Sequence, residues 1–198
     1  MLTADEVERA QKYVEELRLI VDGLTAPNNS RTRAAGSCFG IAQEHHDAIV
    51  RLSEWRLFAA AFALVRIEFE AYVRGEWLAL CANDLVVEAF IEGKEPPKID
   101  CLLAELEMLE SFKQRVLSQI KQKTWKAMCA YTHTGGLQVQ RWNTEEGIEA
   151  NYSRGEILEV VKAADIIAAL AVNGVVRLVG DERLASRALE ALKKRLEP

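Results

Sequence analysis

The sequence has few of the residues that punctuate or cross-link a chain. Its 198 residues include 4 prolines and 11 glycines, too few for a collagen-like or low-complexity chain. The four cysteines, Cys38, Cys81, Cys101 and Cys129, stand far apart with no C-x-x-C pair. A zinc ribbon or a secreted disulfide framework would space them differently. Each falls in an apolar stretch, so buried free thiols in a reducing compartment are expected. Long apolar runs are missing too. The longest, Leu57–Val65 and Ile166–Val176, fall well short of the ~18–20 residues that a bilayer needs. The first residues, MLTADEVERAQ, are acidic and lack a basic segment followed by an apolar one, unlike a signal peptide. A cytoplasmic protein with no membrane partner is the expectation.

Reaction-naming motifs are also absent. There is no G-x-S-x-G, and Gly93–Glu95 has neither the upstream glycine nor the following Ser/Thr of a P-loop. Histidine is scarce, with three residues in all. Glu44-His45-His46-Asp47 is dense in metal ligands but lacks the H-E-x-x-H spacing, its inverse and Glu-x-x-His. Neither metal nor cofactor is expected. His45 is predicted to face the core and His46 the surface.

What is present points to a helical core. Apolar residues make up 49% and charged residues 28%, which excludes disorder. The length suits a single domain, 1–198. Apolar residues recur every three or four positions nearly throughout. Thr3-Ala-Asp-Glu6 is a capping box, followed by Val7, Ala10, Val14, Leu17, Val21 and Leu24 on one stripe. Ser30 is placed as the next cap, before a stripe of Cys38, Ala42, His45, Ile49 and Leu52. A long helix over about 54–82 is apolar nearly all round at its start, as a central helix would be. A short helix is predicted over 85–92, then a leucine-rich segment capped by Asp100. A capping box at Ser111-Phe-Lys-Gln114 precedes a helix reaching towards Tyr131. Gly135-Gly136 breaks it, and Leu137–Trp142 can form a helical turn. Ser153-Arg-Gly-Glu156 is a third box, and Asp181 caps the last helix. The prediction is an all-α bundle of about six to eight helices.

Two segments carry candidate chemistry. Arg66, Glu70 and Arg74 are spaced by four and share a helix face with Phe62, Phe69, Val73 and Trp77. Charges on an apolar stripe need partners. They are either an internal salt-bridge cluster or a polar pocket whose guanidinium forks hold an anion. The second segment is Tyr131-Thr-His133-Thr-Gly-Gly-Leu-Gln138-Val-Gln-Arg141-Trp142. Its histidine and glycines suit a ligand site or a helix C-cap equally. Facing segments would make His133 and Glu70 the acid/base candidates. Arg66, Arg74, Tyr131, Gln138, Arg141 and Trp77 would then be the ligand-binding set.

Charge is distributed unevenly. Between Ser111 and Thr144 there is no acid and six bases: Lys113, Arg115, Lys121, Lys123, Lys126 and Arg141. That stretch is +6 in a chain of −5, leaving −11 elsewhere. Interleaved Trp125, Tyr131 and Trp142 would suit a phosphate backbone and bases. The five helix bases scatter around the axis rather than lining one stripe, however, which favours a solvated face or contact with acidic surfaces elsewhere in the bundle.

The helical stretch from Arg66 to Leu78, with Glu70-Ala-Tyr-Val-Arg74 and Trp77-Leu78, and the Thr132-His-Thr-Gly-Gly136 turn together resemble an uncharacterised family of bacterial all-helical proteins. A looser likeness is to the HEPN superfamily of helical bundles, often dimeric and often RNases. That superfamily's Arg four to six residues before a His is absent here. Two functions follow. One is an anion-binding bundle, for a nucleotide or RNA phosphate. The other is a non-catalytic homo-oligomeric module in which the Arg/Glu cluster is structural. RNA cleavage of the HEPN kind is a third alternative.

Overall fold

The computed structural model describes residues 1–197. They form nine α-helices: α1 (Ala4–Val21), α2 (Ser30–Glu54), α3 (Phe58–Leu80), α4 (Asp84–Ile91), α5 (Ile99–Leu106), α6 (Val116–Thr132), α7 (Gly136–Gln140), α8 (Arg154–Val179) and α9 (Glu182–Leu196), with one 3-10 turn at Glu110–Phe112. The only β contact among the described residues is an isolated bridge between Asn143 and Ile148. The expected all-α bundle is what forms. No described helix is long and apolar enough to cross a membrane.

Local signals set most boundaries. Thr3 and Ser153 each accept from the backbone N–H three residues on while Glu6 and Glu156 reach back, two complete capping boxes. Gly180, at φ 82, ends α8. Three predicted caps are different. Asn29, not Ser30, caps α2 through Thr32 N–H. Lys98 precedes α5, and Asp100 sits in its first turn and pairs with Lys121 instead. The box at Ser111 does not form, because that residue lies in the 3-10 turn and α6 starts only after Arg115, at φ 55. The helix predicted over 54–82 begins at Phe58. Arg56 adopts φ 64, and Leu57 N–H closes back on the Leu52 carbonyl at 2.8 Å, which ends α2 and turns the chain.

The centre of the molecule is a trio, α2, α3 and α8, packed on one another. Phe39 of α2 is its wedge. The ring is fully buried between Gly75 of α3 and Gly174 of α8, and a methyl group added at either glycine would overlap it. Only glycine lets three helices close on one aromatic ring. α8 is rich in alanine on its buried side, with Ala164, Ala168, Ala169 and Ala171 all at 0% exposure, so neighbours approach closely on several sides. α1 and α9 pack on α8 through Tyr13, Leu17, Ile20, Ala188 and Ala191. α5 and α6 pack on α3, and α4 on α2.

Because α2 is covered by both α3 and α8, its buried face is wide. It runs Ala35, Phe39, Ala42, His46, Ile49, Ser53. His46 is therefore the core histidine, at 2% exposure, and His45 is only half-buried. This reverses the sequence expectation, by the ~100° that separates adjacent residues. The cysteines also divide. All four are free, but only Cys38 is buried; Cys81 and Cys129 are half-buried and Cys101 is exposed. Cys101 points outward because Leu102, Leu103 and Leu106 take the buried face of the short α5.

Candidate functional site

Arg66, Glu70 and Arg74 lie one turn apart on α3, and Glu70 serves both arginines. Arg66 Nε donates to Glu70 Oε1 at 2.8 Å, and Arg74 Nη2 donates to Oε2 at 2.6 Å. Their side chains keep 19%, 15% and 32% of their surface. The row thus runs along the rim of the core rather than through it, flanked by buried Phe69, Val73 and Trp77.

α6 supplies the facing wall. Arg66 Nη1 lies 2.5 Å from His133 Nε2. A guanidinium has no acceptor, so in this hydrogen bond Arg66 donates and His133 Nε2 accepts. The Arg66 guanidinium carbon also sits 4.6 Å from the centre of the Trp125 ring, and Lys121 Nζ is 4.6 Å from the same centre. Lys121 donates to Asp100 Oδ1 of α5 at 2.8 Å. Three cations, Arg66, Arg74 and Lys121, therefore share two carboxylates, Glu70 and Asp100. Arg74 gives Glu70 one of its five N–H groups.

The end of α6 is built to hold His133 there. Thr132 Oγ1 donates to the Ala63 carbonyl at 3.1 Å, which ties α6 to α3. Thr134 then turns left-handed, at φ 52, and Gly135 N–H closes on the Ala130 carbonyl at 2.7 Å. A Cβ on Gly135 would lie 3.0 Å from Ala130 Cα. The glycine is needed because the backbone presses on its own helix. The backbone of this turn closes α6, and the His133 side chain goes to Arg66 rather than to the helix's last carbonyls.

The 66–77 face and the 131–142 segment thus meet at Arg66–His133, while Thr132 and Gln138 hold the segment to the preceding turns of α3, at the carbonyls of Ala63 and of Ala59, the latter accepting from Gln138 Nε2 at 3.4 Å. The other candidates have separate neighbours. Trp77 Nε1 donates to Glu105 Oε2 at 2.6 Å. Arg141 pairs with Glu156 of α8, beside the Tyr131 hydroxyl. Burial raises the Glu156 carboxyl, but hydrogen bonds from Ser153 and the Arg141 charge outweigh it and hold it below the usual range.

Sequence reasoning misses a second polar group, deep in the bundle. Asp165 of α8 is fully buried; its Oδ1 lies 2.8 Å from His46 Nε2, and its Oδ2 lies 2.9 Å from Arg195 Nε of α9. Tyr13 of α1 donates to the Asp165 backbone carbonyl at 3.3 Å. Glu68 of α3 is also fully buried, and neither of its carboxylate oxygens has a hydrogen-bond partner. Burial, then the nearby Asp165 charge, pushes the Glu68 carboxyl well above 4.5. Glu76, buried one face round, pairs with Arg177. A signal exists for Asp165, which is the one charged residue between Lys162 and Arg177 in an otherwise apolar run. Glu68 has no such mark, since Arg66 and Glu70 flank it. No group of three His, Cys, Asp or Glu side chains among the described residues could hold a metal ion.

A family model describes the stretch that holds these residues. It matches residues 39–197, from within α2 to the end of α9. The chain belongs to DUF6988, a family of unknown function. No curated protein and no solved structure matches the chain. The DUF6988 match takes in every residue of the Arg66–His133 site, together with Glu68 and Asp165, whereas Tyr13 of α1 lies outside it.

Proposed function

We propose that the α3–α6 face binds a phosphate-bearing anion, a nucleotide or an RNA phosphate. The observation that carries this is the convergence of Arg66, Lys121 and His133 about the Trp125 ring, with Arg74 continuing the row through the shared Glu70. Arg66 and Arg74 bind the charge, Glu70 orients both forks, and His133 is the acid/base group. Lys123 and Lys126 are exposed on other sides of α6 and form no ion pair among the described residues. Phosphate contacts of this kind make binding weaken with salt. Calorimetric titration with inorganic phosphate, a nucleotide and a short RNA tests it, with Arg74→Ala and His133→Ala as variants. Loss in both supports the site. Unchanged binding in both removes it. Cleavage of the bound RNA, the HEPN-like form of this reading, is favoured by one observation: Arg66 and His133 come together in space although their order along the chain differs from that superfamily's motif.

A second reading is a homo-oligomeric module in which the cluster only fixes helix packing. The i,i+4 pairing of both arginines with Glu70 inside one helix favours it. Glu70→Gln separates the two readings, because only an anion site responds to added phosphate.

A further inference from the structure

The opposite flank of α6 holds a second recess. α6 and α8 both pack on α3 but scarcely on each other. Between them lies a cleft of about 260 Å³. Its floor is Phe62 and Val65 of α3, and its walls are Met128 and Tyr131 of α6 and Val160 and Ala163 of α8. Phe62 and Tyr131 meet edge to face, with ring centres 5.0 Å apart. The Thr124 hydroxyl is turned into its own helix, onto the Ile120 carbonyl at 2.8 Å. Two carboxylates stand in the lining. Glu156, held ionised, is paired with Arg141, whereas Glu159 is exposed and forms no ion pair among the described residues.

We propose that this cleft binds a small organic cation, an amine carried on an aromatic or branched aliphatic body. An apolar cavity of ~150 Å³ accepts a benzene ring, so this volume admits one ring with a short arm. The ring fills the apolar floor. The ammonium sits at the mouth against Glu159, within reach of aromatic faces that attract cations. An anion or a zwitterion meets the wrong charge there. The occupant is thus opposite in sign to the one proposed for the Arg66–Arg74 face, and the two sites are independent.

Met128 makes the test direct. The chain has three methionines; Met128 lines the cleft, and Met108 is 82% exposed elsewhere. Protein labelled with methyl-¹³C methionine is titrated with 2-phenylethylamine and, separately, with neutral 2-phenylethanol. The Met128 methyl signal should shift saturably and the Met108 signal should not. The amine should bind roughly fivefold more tightly than the alcohol, the size of one exposed ion pair. Glu159→Gln should bring the two within about twofold. Ala163→Leu should abolish the shift by filling the cleft, while Arg74→Ala should leave it unchanged. No Met128 shift, equal affinities in the native protein, or an unaltered response in Ala163→Leu overturns the proposal. Because Glu159 is a surface side chain, its variant keeps the charge test valid even where the leucine disturbs folding.

Discussion

Arg66 and His133 lie 67 positions apart in the sequence and 2.5 Å apart in the structure. The contact joins two helices that reach it for different reasons. α3 brings Arg66 because a spacing of four lines it up with Glu70 and Arg74. α6 brings His133 because a left-handed Thr134 and a tight Gly135 end the helix at that point. Each piece has its own local cause, and their meeting gathers two arginines, a lysine and a histidine on one face.

Glu70 is the balance of that face. Glu70→Gln keeps shape and removes the charge that two arginines share. Since the carboxylate keeps 15% of its surface, the loss should be smaller than for a fully buried pair, about 1–3 kcal/mol. The unpaired arginines should then hold phosphate more tightly than before. The expected result is a lower Tm that added phosphate recovers, measured by thermal melts across a phosphate series. A lower Tm with no response to phosphate assigns the cluster to packing alone.

Gly174→Ala tests the wedge at the centre of the trio. The new methyl overlaps the Phe39 ring, which has Gly75 on its other side. Overpacking of a tight core costs about 1–3 kcal/mol, and helix propensity would return up to ~1 kcal/mol. Net destabilisation is expected from urea titration, and Phe39→Leu in the same chain should recover part of it. An alanine variant as stable as the native protein shows that the ring can move aside.

The architecture is legible in the sequence because its signals are local. Two capping boxes, the glycine stop at Gly180 and the apolar stripes each act within a few residues. The Arg66–Glu70–Arg74 row is legible for the same reason, being a helical spacing. What is not legible depends on neighbours. His46 is buried rather than His45 because α2 is covered on two sides, which a single stripe does not encode. The role of Asp165 emerges only when α2 and α9 bring His46 and Arg195 to it. Sequence proximity groups Tyr131 and Arg141 with His133, yet they lie on the α8 side of α6 with Glu156.

Thiol reactivity should follow burial. Cys101 is exposed, and Cys38 is buried, with burial pushing its thiol up to about 11. The thiolate is the reacting form, so native protein should be alkylated first at Cys101 and last at Cys38. Peptide mapping after a timed iodoacetamide pulse reads the order. Early labelling of Cys38 shows that α2 opens far more readily than its packing implies.

Glu68 sets the last expectation, a dependence of stability on pH. Its carboxyl is pushed well above 4.5 by burial first and by the Asp165 charge second. In the unfolded chain it titrates normally, so the folded state holds a proton that the unfolded state releases. A group raised on folding contributes its stability fully below the unfolded value. That contribution shrinks as pH climbs past 4.5 towards the raised folded value. Glu68→Gln is neutral at every pH and close in shape, so it should remove this decline. Urea titrations from acid to alkaline pH should show the variant and the native protein nearly matched at the acid end. The variant should gain steadily as pH rises. A constant difference across the range means that Glu68 does not carry the proton.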